Sequence, residues 1–153
     1  MSGRVRARID IAAPVDEVFA FFDDVGNARL LLPRLMNVTL VEPRPGGGRR
    51  VEYTVRNNSG DEVTASSEHI EYDPPHRTVA RGVQSGVSTT ATREFDEIDG
   101  VTRVTATVEW EVPVRYVGRL ITLPLRGPFR RSLRESLAAA KKALESKGRF
   151  SDG

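Results

Sequence analysis

The fold of this chain is decided by residues 87–112, VSTTATREFDEIDGVTRVTATVEWEV. Asp99-Gly100, near the middle, is a two-residue turn signal and predicts two long antiparallel strands that pair in register on either side of it. Counting outward from the turn, one face of this hairpin carries only polar pairs, which are Asp96 with Arg103, Glu94 with Thr105, Thr92 with Thr107, Thr90 with Glu109, and Ser88 with Glu111. Because such a face gains nothing from burial, we expect it to contact water.

The opposite face of the predicted hairpin is apolar, with one exception. Its pairs are Phe95 with Val104, Arg93 with Ala106, Ala91 with Val108, Thr89 with Trp110, and Val87 with Val112. An unpaired guanidinium on a buried face is costly, so Arg93 must meet a carboxylate, water or a ligand anion. Two interpretations stay open: an arginine that polarises a ligand carbonyl or holds a ligand carboxylate, or one that reaches the rim or pairs with an internal acid.

The rest of the chain supplies five more strands and three helices. Residues 4–12 alternate apolar and polar side chains, which is typical of a half-buried strand. Turn signals separate four further strands, near 37–43, 49–57, 61–72 and 77–84. Helical spacing predicts short helices over 14–24 and about 26–35 and a long helix from 128 to about 147.

This order of elements predicts an α+β domain. A seven-stranded curved antiparallel sheet wraps around the long C-terminal helix, and two short helices follow the first strand. We place a single domain over residues 1–148 and a disordered tail over 149–153.

The composition excludes several classes of site. The chain contains no cysteine, so disulfides, cysteine metal sites and thiol nucleophiles are absent. The chain has no run of about 18 apolar residues, which a transmembrane helix would require. Its basic N-terminus is not followed by the apolar stretch of a secretory signal. We therefore expect a cytoplasmic protein. The two histidines, His69 and His76, do not group with acids at metal-ligand spacing, and we expect neither a metal nor a cofactor.

The formal net charge of +2 hides an asymmetry. Residues 115–153 carry ten basic and three acidic side chains, a net of +7, whereas residues 1–114 carry 13 and 18, a net of −5. We expect an acidic sheet side and a basic helix side, the latter covered by Arg130, Arg131, Arg134 and Lys141. Such a surface suits an anionic membrane or an acidic carrier protein. Without a recognised motif, we expect no nucleic-acid partner.

Four segments carry a resemblance to a known family. They are IDIAAPVDEVFAFFDD at 9–24, EYDPP at 71–75, TRVTATVEWEVP at 102–113 and GRLITLPLRGPFRRSLRESLAAAKKAL at 118–144. Over residues 4–147 the chain resembles the START-like or SRPBCC superfamily. It looks most like the polyketide cyclase/dehydrase and lipid-transport branch, which includes proteins similar to the coenzyme Q-binding Coq10 group. The resemblance implies a helix-grip fold that encloses a cavity between sheet and helix.

The hairpin register and this resemblance together predict the residues that line the cavity. They are Ala91, Phe95 and Trp110 from the hairpin, Phe19 and Phe22 from the first helix, and Phe129 and Leu133 from the long helix. We expect Trp110 to form a wall against Phe19 or Phe22, with a plain core tryptophan as the alternative. Arg93 and Tyr53 are the candidate catalytic residues, and Tyr53 is either a phenol that bonds a ligand carbonyl or an ordinary core tyrosine.

The turn at 73–75 leaves two registers open for the next pair of strands. In the shorter register Glu68 and Arg81 both face the cavity. In the register that is one residue longer, Glu68 stays inward as a partner for Arg93, and the inward positions of the following strand are Thr78, Ala80 and Gly82. In either register His69 falls on the opposite face and is predicted to be a surface histidine.

We predict different roles for two loops. Segment 114–126, VRYVGRLITLPLR, is apolar with spaced arginines and is either a lid over the cavity mouth or a packed crossover. Gly46-Gly47-Gly48 lies between strands without a following helix, so we interpret it as a flexible hairpin loop and not as a phosphate-binding loop.

Three functional hypotheses follow. The first is a protein that binds a polyketide-like or aromatic molecule and directs aldol-type cyclisation by shape and exclusion of water, as a polyketide cyclase/aromatase. The second is a non-enzymatic carrier of a lipid or an isoprenoid quinone. The third is a regulatory protein that uses the fold as a scaffold.

Overall fold

The computed structural model describes residues 2–57, 59–112 and 126–151. The elements follow in the order β1 (Ser2–Ile11), α1 (Val15–Asp23), a 3₁₀ turn (Val25–Asn27), α2 (Ala28–Leu31), β2 (Leu35–Pro43), β3 (Arg49–Arg56), β4 (Glu62–Asp73), β5 (Arg77–Gln84), β6 (Val87–Ile98), β7 (Val101–Glu111) and α3 (Arg126–Ser151). The predicted helix-grip order is confirmed, with seven strands, two short helices after the first strand and one long C-terminal helix.

The boundaries of two helices differ from the prediction. Instead of a helix over about 26–35, a 3₁₀ turn leads into α2, which ends at Leu31. The reason is Pro33, because proline disfavours the helical conformation of the residue before it, and Leu32 lies at φ −128° and ψ 88°. At the other end of the chain, α3 continues through Gly148 to Ser151. A helical glycine costs about 1 kcal/mol relative to alanine and does not by itself end a helix. The last two residues of the predicted tail, 152 and 153, lie outside the described residues.

The sheet is antiparallel throughout, in the order β1-β7-β6-β5-β4-β3-β2. The register predicted for β6 and β7 is confirmed from the pair Ser88–Glu111 to the pair Ile98–Val101. The first and last strands are neighbours, and Arg4 pairs with Glu109, their side chains lying 3.7 Å apart on the convex face.

The core lies between the concave face of the sheet and the helices. Leu137, Ala140 and Leu144 of α3 are buried against the first strand, the β6–β7 hairpin and α1. Thr102, which is fully buried, donates a hydrogen bond of 2.7 Å to the carbonyl oxygen of Ala13 and so fixes the connection into α1. The amphipathic stripe predicted for the long helix therefore covers the β1–β7 side of the concave face.

A second buried cluster surrounds Trp110. Its indole ring stacks on Phe129 with the ring centroids 4.9 Å apart. Gly3 of β1 lies beneath the ring, and a β-carbon added there would come within 2.1 Å of the indole. Trp110 belongs to a cluster with Val5 and Val112, whereas Phe19 and Phe22 belong to the main core. The prediction that Trp110 packs against Phe19 or Phe22 is therefore wrong.

A β-bulge in β4 changes which of its side chains face inward. The pairing with β5 shifts between His69 and Glu71, so that Ile70 is an extra residue and is 44% exposed. On the far side of the bulge Tyr72 pairs with Thr78, as the longer of the two predicted registers requires. Because a bulge reverses the alternation of faces, the positions before and after Ile70 must be counted separately.

The bulge corrects the predictions for Glu68 and His69, and the longer register corrects the prediction for Arg81. Thr78 pairs with Arg93 on the concave face, and in the same alternation Ala80 pairs with His69. His69 therefore faces inward, not outward as predicted. Glu68 precedes His69 and pairs with Arg81, which follows Ala80. Because successive side chains of a strand point to opposite faces, Glu68 and Arg81 both lie on the convex face.

None of the helices within the described ranges is long and apolar enough to span a membrane. The predicted lid at 114–126 lies outside the described residues, except for Arg126 at the start of α3.

Candidate functional site

Arg93 lies on the concave face near the middle of β6, as predicted. It pairs with Thr78 of β5 and Ala106 of β7, both buried. Its guanidinium carbon lies 5.1 Å from the centroid of the Phe22 ring, which is a cation–π distance. No side chain in the described ranges makes a hydrogen bond or an ion pair with this guanidinium. Burial lowers the pKa of Arg93, and the carboxylate of Asp23 acts in the opposite direction.

Arg93 and the side chains around it are partly exposed. Ala80, Ala91 and Val108 surround it on the concave face and are half-buried, as are His69 and Tyr72 on β4. The described helices therefore leave this part of the concave face partly uncovered. We call this part of the concave face, formed by Ala80, Ala91 and Arg93 and bordered by Phe22, His69 and Tyr72, the cleft.

Asp23 connects α1 to two strands at one end of the cleft. Its carboxylate accepts a hydrogen bond of 2.7 Å from the hydroxyl of Tyr72 and lies 3.2 Å from the guanidinium of Arg49. Arg49 also donates a 2.5 Å hydrogen bond to the backbone carbonyl of Asp23. Burial and the Asp23 carboxylate raise the pKa of Tyr72, which keeps the phenol protonated as a donor.

His69 lies beside this ion pair. Its Nδ1 atom accepts a hydrogen bond of 3.0 Å from the backbone N–H of Arg49, and its ring centroid lies 5.2 Å from that of Tyr72. An imidazole that accepts at Nδ1 carries its proton on Nε2 when neutral. Burial and the guanidinium of Arg49 lower the pKa of His69. The neutral side chain therefore offers an N–H donor, with no acceptor for it in the described ranges.

The glycine run between β2 and β3 packs against these rings. A β-carbon at Gly47 would lie 2.8 Å from the ring of Tyr72, and one at Gly48 would lie 2.5 Å from Nδ1 of His69. Both glycines also have positive φ angles, of 104° and 76°. The sequence predicts only a flexible hairpin loop here, whereas the contacts explain why two glycines are needed: the backbone lies directly on His69 and Tyr72.

We expect an NMR titration of His69 to give a pKa below the ordinary 6.5. As the pH falls from about 7, His69 takes up its proton earlier in the unfolded chain than in the folded chain. Acidification therefore lowers the free energy of unfolding. Urea unfolding at several pH values measures this loss. As the control, His69→Asn keeps an acceptor near the Nδ1 position without titrating, and it should remove this contribution. A His69 pKa of 6.5 or higher would contradict the described environment.

The two candidate catalytic residues are not brought together. Tyr53 faces inward on β3, opposite Ala65, and burial raises the pKa of its hydroxyl. Tyr53 pairs with Ala65, Ala65 pairs with Gln84, and Gln84 pairs with Val87 of β6. Val87 lies six residues along β6 from Arg93. That offset corresponds to about 20 Å along the strand. Asp23 and His69 are the groups that interact electrostatically with Arg93, and Arg49 and Tyr72 contact Asp23. The prediction missed all four in these roles.

The apolar residues predicted to line the cavity divide into three groups. Phe19 and Phe95 are core residues, 6% and 2% exposed, with their ring centroids 5.2 Å apart. Ala91 and Leu133 are half-buried on the concave side, whereas Phe22 is a core residue, 7% exposed, whose ring meets the guanidinium of Arg93. Trp110 and Phe129 pack in the second cluster.

The convex face carries a separate groove of about 760 Å³. Arg4, Arg81, Glu109, Glu111 and Arg126 line it. Both arginines and glutamates line it, so it has no uniform charge for one kind of ligand. Glu68 lies on the same face and is 3.8 Å from Arg44. The structure thus removes Glu68 and Arg81 from the cleft.

Two further predictions concern metals and surface charge. Across residues 2–57, 59–112 and 126–151, no three His, Asp or Glu side chains stand close enough to hold a metal ion. On α3, Arg130, Arg131 and Arg134 are exposed, as predicted. Lys141 instead donates a 2.6 Å hydrogen bond to the carbonyl of Asp10 on β1. Docking of this helix to an anionic membrane or an acidic carrier protein stays a prediction.

The family model described as polyketide cyclase/dehydrase and lipid transport matches residues 2–145. No curated protein sequence matches the chain. Among solved structures, the Zhui aromatase/cyclase from Streptomyces sp. R1128 superposes with a TM-score of 0.78 at 18% identity, covering 100% of this chain and 99% of that one.

Two more structures give the same result. TTHA0849 from Thermus thermophilus has a TM-score of 0.75 at 20% identity and covers 95% and 99% of the two chains. The di-domain ARO/CYC StfQ from the steffimycin biosynthetic pathway has a TM-score of 0.78 at 14% identity, covering 96% of this chain and 52% of that one. At these identities the likeness establishes the fold and not the activity.

Proposed function

Because the chain belongs to the polyketide cyclase/dehydrase and lipid transport family, we propose that it binds a polyketide-like aromatic molecule in the cleft, where Arg93 donates hydrogen bonds to a ligand carbonyl. The observation that carries this proposal is the state of Arg93. It is a half-buried guanidinium over Phe22, with no hydrogen-bond acceptor among the described side chains. Leaving such a group without an acceptor is costly, and a ligand oxygen removes that cost.

The neighbours of Arg93 support a flat, largely apolar ligand. Ala80, Ala91 and Val108 are short side chains that leave room above the sheet. Phe22, a buried ring, supports the guanidinium from below, and the neutral His69 offers a second N–H donor. A small number of polar groups on an apolar surface is the usual composition of a site for a small molecule.

The same arrangement suits an aldol-type cyclisation. A guanidinium hydrogen-bonded to a carbonyl oxygen stabilises the negative charge that develops there when an enolate carbon of the same ligand attacks the carbonyl carbon. The new C–C bond takes the enolate electron pair, and the carbonyl π pair moves to the oxygen. That oxygen then takes up one proton from solvent, which balances the proton that the α-carbon lost to solvent when the enolate formed. The cleft would hold the two reacting carbons together.

A carrier of a lipid or an isoprenoid quinone is the second candidate. Its support lies at the far end of the concave face, where Val38 and Val41 of β2 are 36% and 49% exposed. Val38 pairs with Tyr53 and Val41 with Val51, so these apolar side chains face the inside of the sheet. An apolar strip of this kind suits a long hydrocarbon chain and would not need Arg93.

The test uses 2-acetonaphthone, an uncharged aromatic ketone, as the probe in NMR titrations of the full chain. Arg93→Ala should weaken its binding by about 10- to 100-fold, because a hydrogen bond to a charged group contributes about 1.5–3 kcal/mol. The matched control is Arg81→Ala on the convex face, which should bind like the parent protein. Equal affinities for the parent and Arg93→Ala would overturn the assignment of the ketone to Arg93.

Native mass spectrometry of the purified protein separates the two candidates. A retained aromatic molecule that is lost in Arg93→Ala supports the ligand site at Arg93. A retained long-chain lipid or quinone that survives this substitution supports the carrier and contradicts the first proposal.

A further inference from the structure

The charges around the cleft do not balance. Asp23 and Arg49 form an ion pair at 3.2 Å and cancel each other. His69 accepts a hydrogen bond at Nδ1 and is neutral at ordinary pH, because burial and Arg49 lower its pKa. Arg93 remains as one positive charge, since a guanidinium does not lose its proton in proteins. The side chains in and around the cleft therefore carry a net charge of about +1.

The carboxylates of the fold are used elsewhere. Asp23 is the carboxylate whose charge acts on Arg93, but its Oδ2 atom already receives the hydroxyl of Tyr72 and the guanidinium of Arg49. Glu97, farther along β6, accepts a 2.6 Å hydrogen bond from the backbone N–H of Val15 at the start of α1. Glu68, the partner predicted for Arg93, lies on the convex face. No acid in the described part of the chain pairs with Arg93.

Phe22 offsets only part of this cost. A cation over an aromatic ring gains about 0.5–2 kcal/mol, whereas removing a charged group from water costs several kcal/mol unless an opposite charge compensates it. A hydrogen bond between a guanidinium and an anionic oxygen is about twice as strong as one between neutral groups. An anion therefore gains more from Arg93 than a ketone does.

Resting on the proposed function, we infer that the cleft selects an aromatic ligand with one negatively charged oxygen group, which pairs with Arg93. A carboxylate matches the guanidinium best, because two parallel N–H···O bonds form between the planar groups. An enol or phenol acidic enough to ionise presents the same charge. In a chain with several carbonyls, the anionic group fixes which end of the ligand lies over Phe22.

The experiment compares 2-naphthoate with 2-naphthamide, which differ in charge and hardly in shape, by NMR titration or calorimetry on the full chain. We expect naphthoate to bind about tenfold or more tightly than the amide, corresponding to at least about 1.4 kcal/mol. Arg93→Gln should abolish this preference, whereas Arg93→Lys should keep part of it. The control variant Arg81→Gln, on the convex face, should keep all of it.

A second variant covers the case in which Arg93 substitutions fail to fold. Asp23→Asn removes the carboxylate whose negative charge acts on Arg93. This substitution should raise the affinity for naphthoate relative to the amide. Equal affinities of the parent protein for the two probes would overturn the inference. If 2-acetonaphthone still binds in that case, the proposed function stands without the charge selection; if none of the aromatic probes binds, the proposed function fails as well.

Discussion

Replacing Phe95 by alanine is expected to lower the free energy of unfolding by about 3–5 kcal/mol, which is the range for large aromatic residues in a packed core. Phe95 is 2% exposed, and its ring meets the rings of Phe19 and Phe22 edge to face, with centroids 5.2 and 5.7 Å away. Removing it opens a cavity between β6 and α1, and α1 is the helix that carries Phe22 and Asp23 to the cleft.

Urea unfolding followed by circular dichroism measures this loss. Ile98→Ala, near the end of the same strand, is the matched control because Ile98 is 74% exposed. It should change the stability by no more than about 0.5 kcal/mol. A loss below about 1 kcal/mol for Phe95→Ala would contradict its place at the centre of the core.

The second large effect is expected at Trp110. Trp110→Ala should destabilise the protein by about 3–5 kcal/mol, because the indole is 5% exposed and fills the space between Gly3 and Phe129. This is the single tryptophan of the chain. Thermal unfolding followed by far-UV circular dichroism therefore avoids the loss of the fluorescence signal.

The contact with Gly3 gives this prediction a sharper form. Gly3→Ala places a β-carbon about 2.1 Å from the indole and should cost about 1–3 kcal/mol by overpacking. In the Trp110→Ala background the same substitution should cost close to nothing, so the two changes are coupled. The control is Gly127→Ala in α3, where nothing lies within 4 Å of the added β-carbon. Additive effects of the Gly3 and Trp110 substitutions would contradict the described contact.

The sequence was sufficient wherever one local signal decides the register. The Asp99-Gly100 turn determines how β6 pairs with β7, and the strict alternation on both sides leaves no competing alignment. Arg93 could be identified for the same reason, since it is a single charge in a row of apolar residues. Family resemblance then supplied the global arrangement, a sheet around a helix, which local patterns do not specify.

In β4 the sequence pattern did not predict which side chains face inward. Its sequence, EVTASSEHIEYD, has small and polar residues at both parities and no apolar face that would reveal an extra residue. The bulge at Ile70 reverses the alternation, and with it the positions of Glu68 and His69, whereas Arg81 faces outward because the turn follows the longer register. A pattern of period two cannot detect a bulge unless at least one face is clearly apolar.

The remainder of the site depends on contacts between distant segments. Asp23 and Arg49 meet across 26 positions of the chain, and Asp23 and Tyr72 across 49. The one local signal was the glycine run before Arg49, because consecutive glycines can mark a close approach of the backbone to other groups. Tyr53 was assigned to the correct face, but its distance from Arg93 follows only when the registers of four strands are added together.

The position of β1 has a consequence for how the protein is made. This strand is synthesised long before its partner in the sheet, which is β7, and Ser2 pairs with Glu111. At a synthesis rate of about 5–20 residues per second, the first strand waits about 5–20 s for its partner. During that interval the apolar side chains of β1 have neither β7 nor α3 to cover them. The nascent chain is therefore most prone to aggregation before β7 emerges, and completion of the sheet is a late, non-local event in its folding.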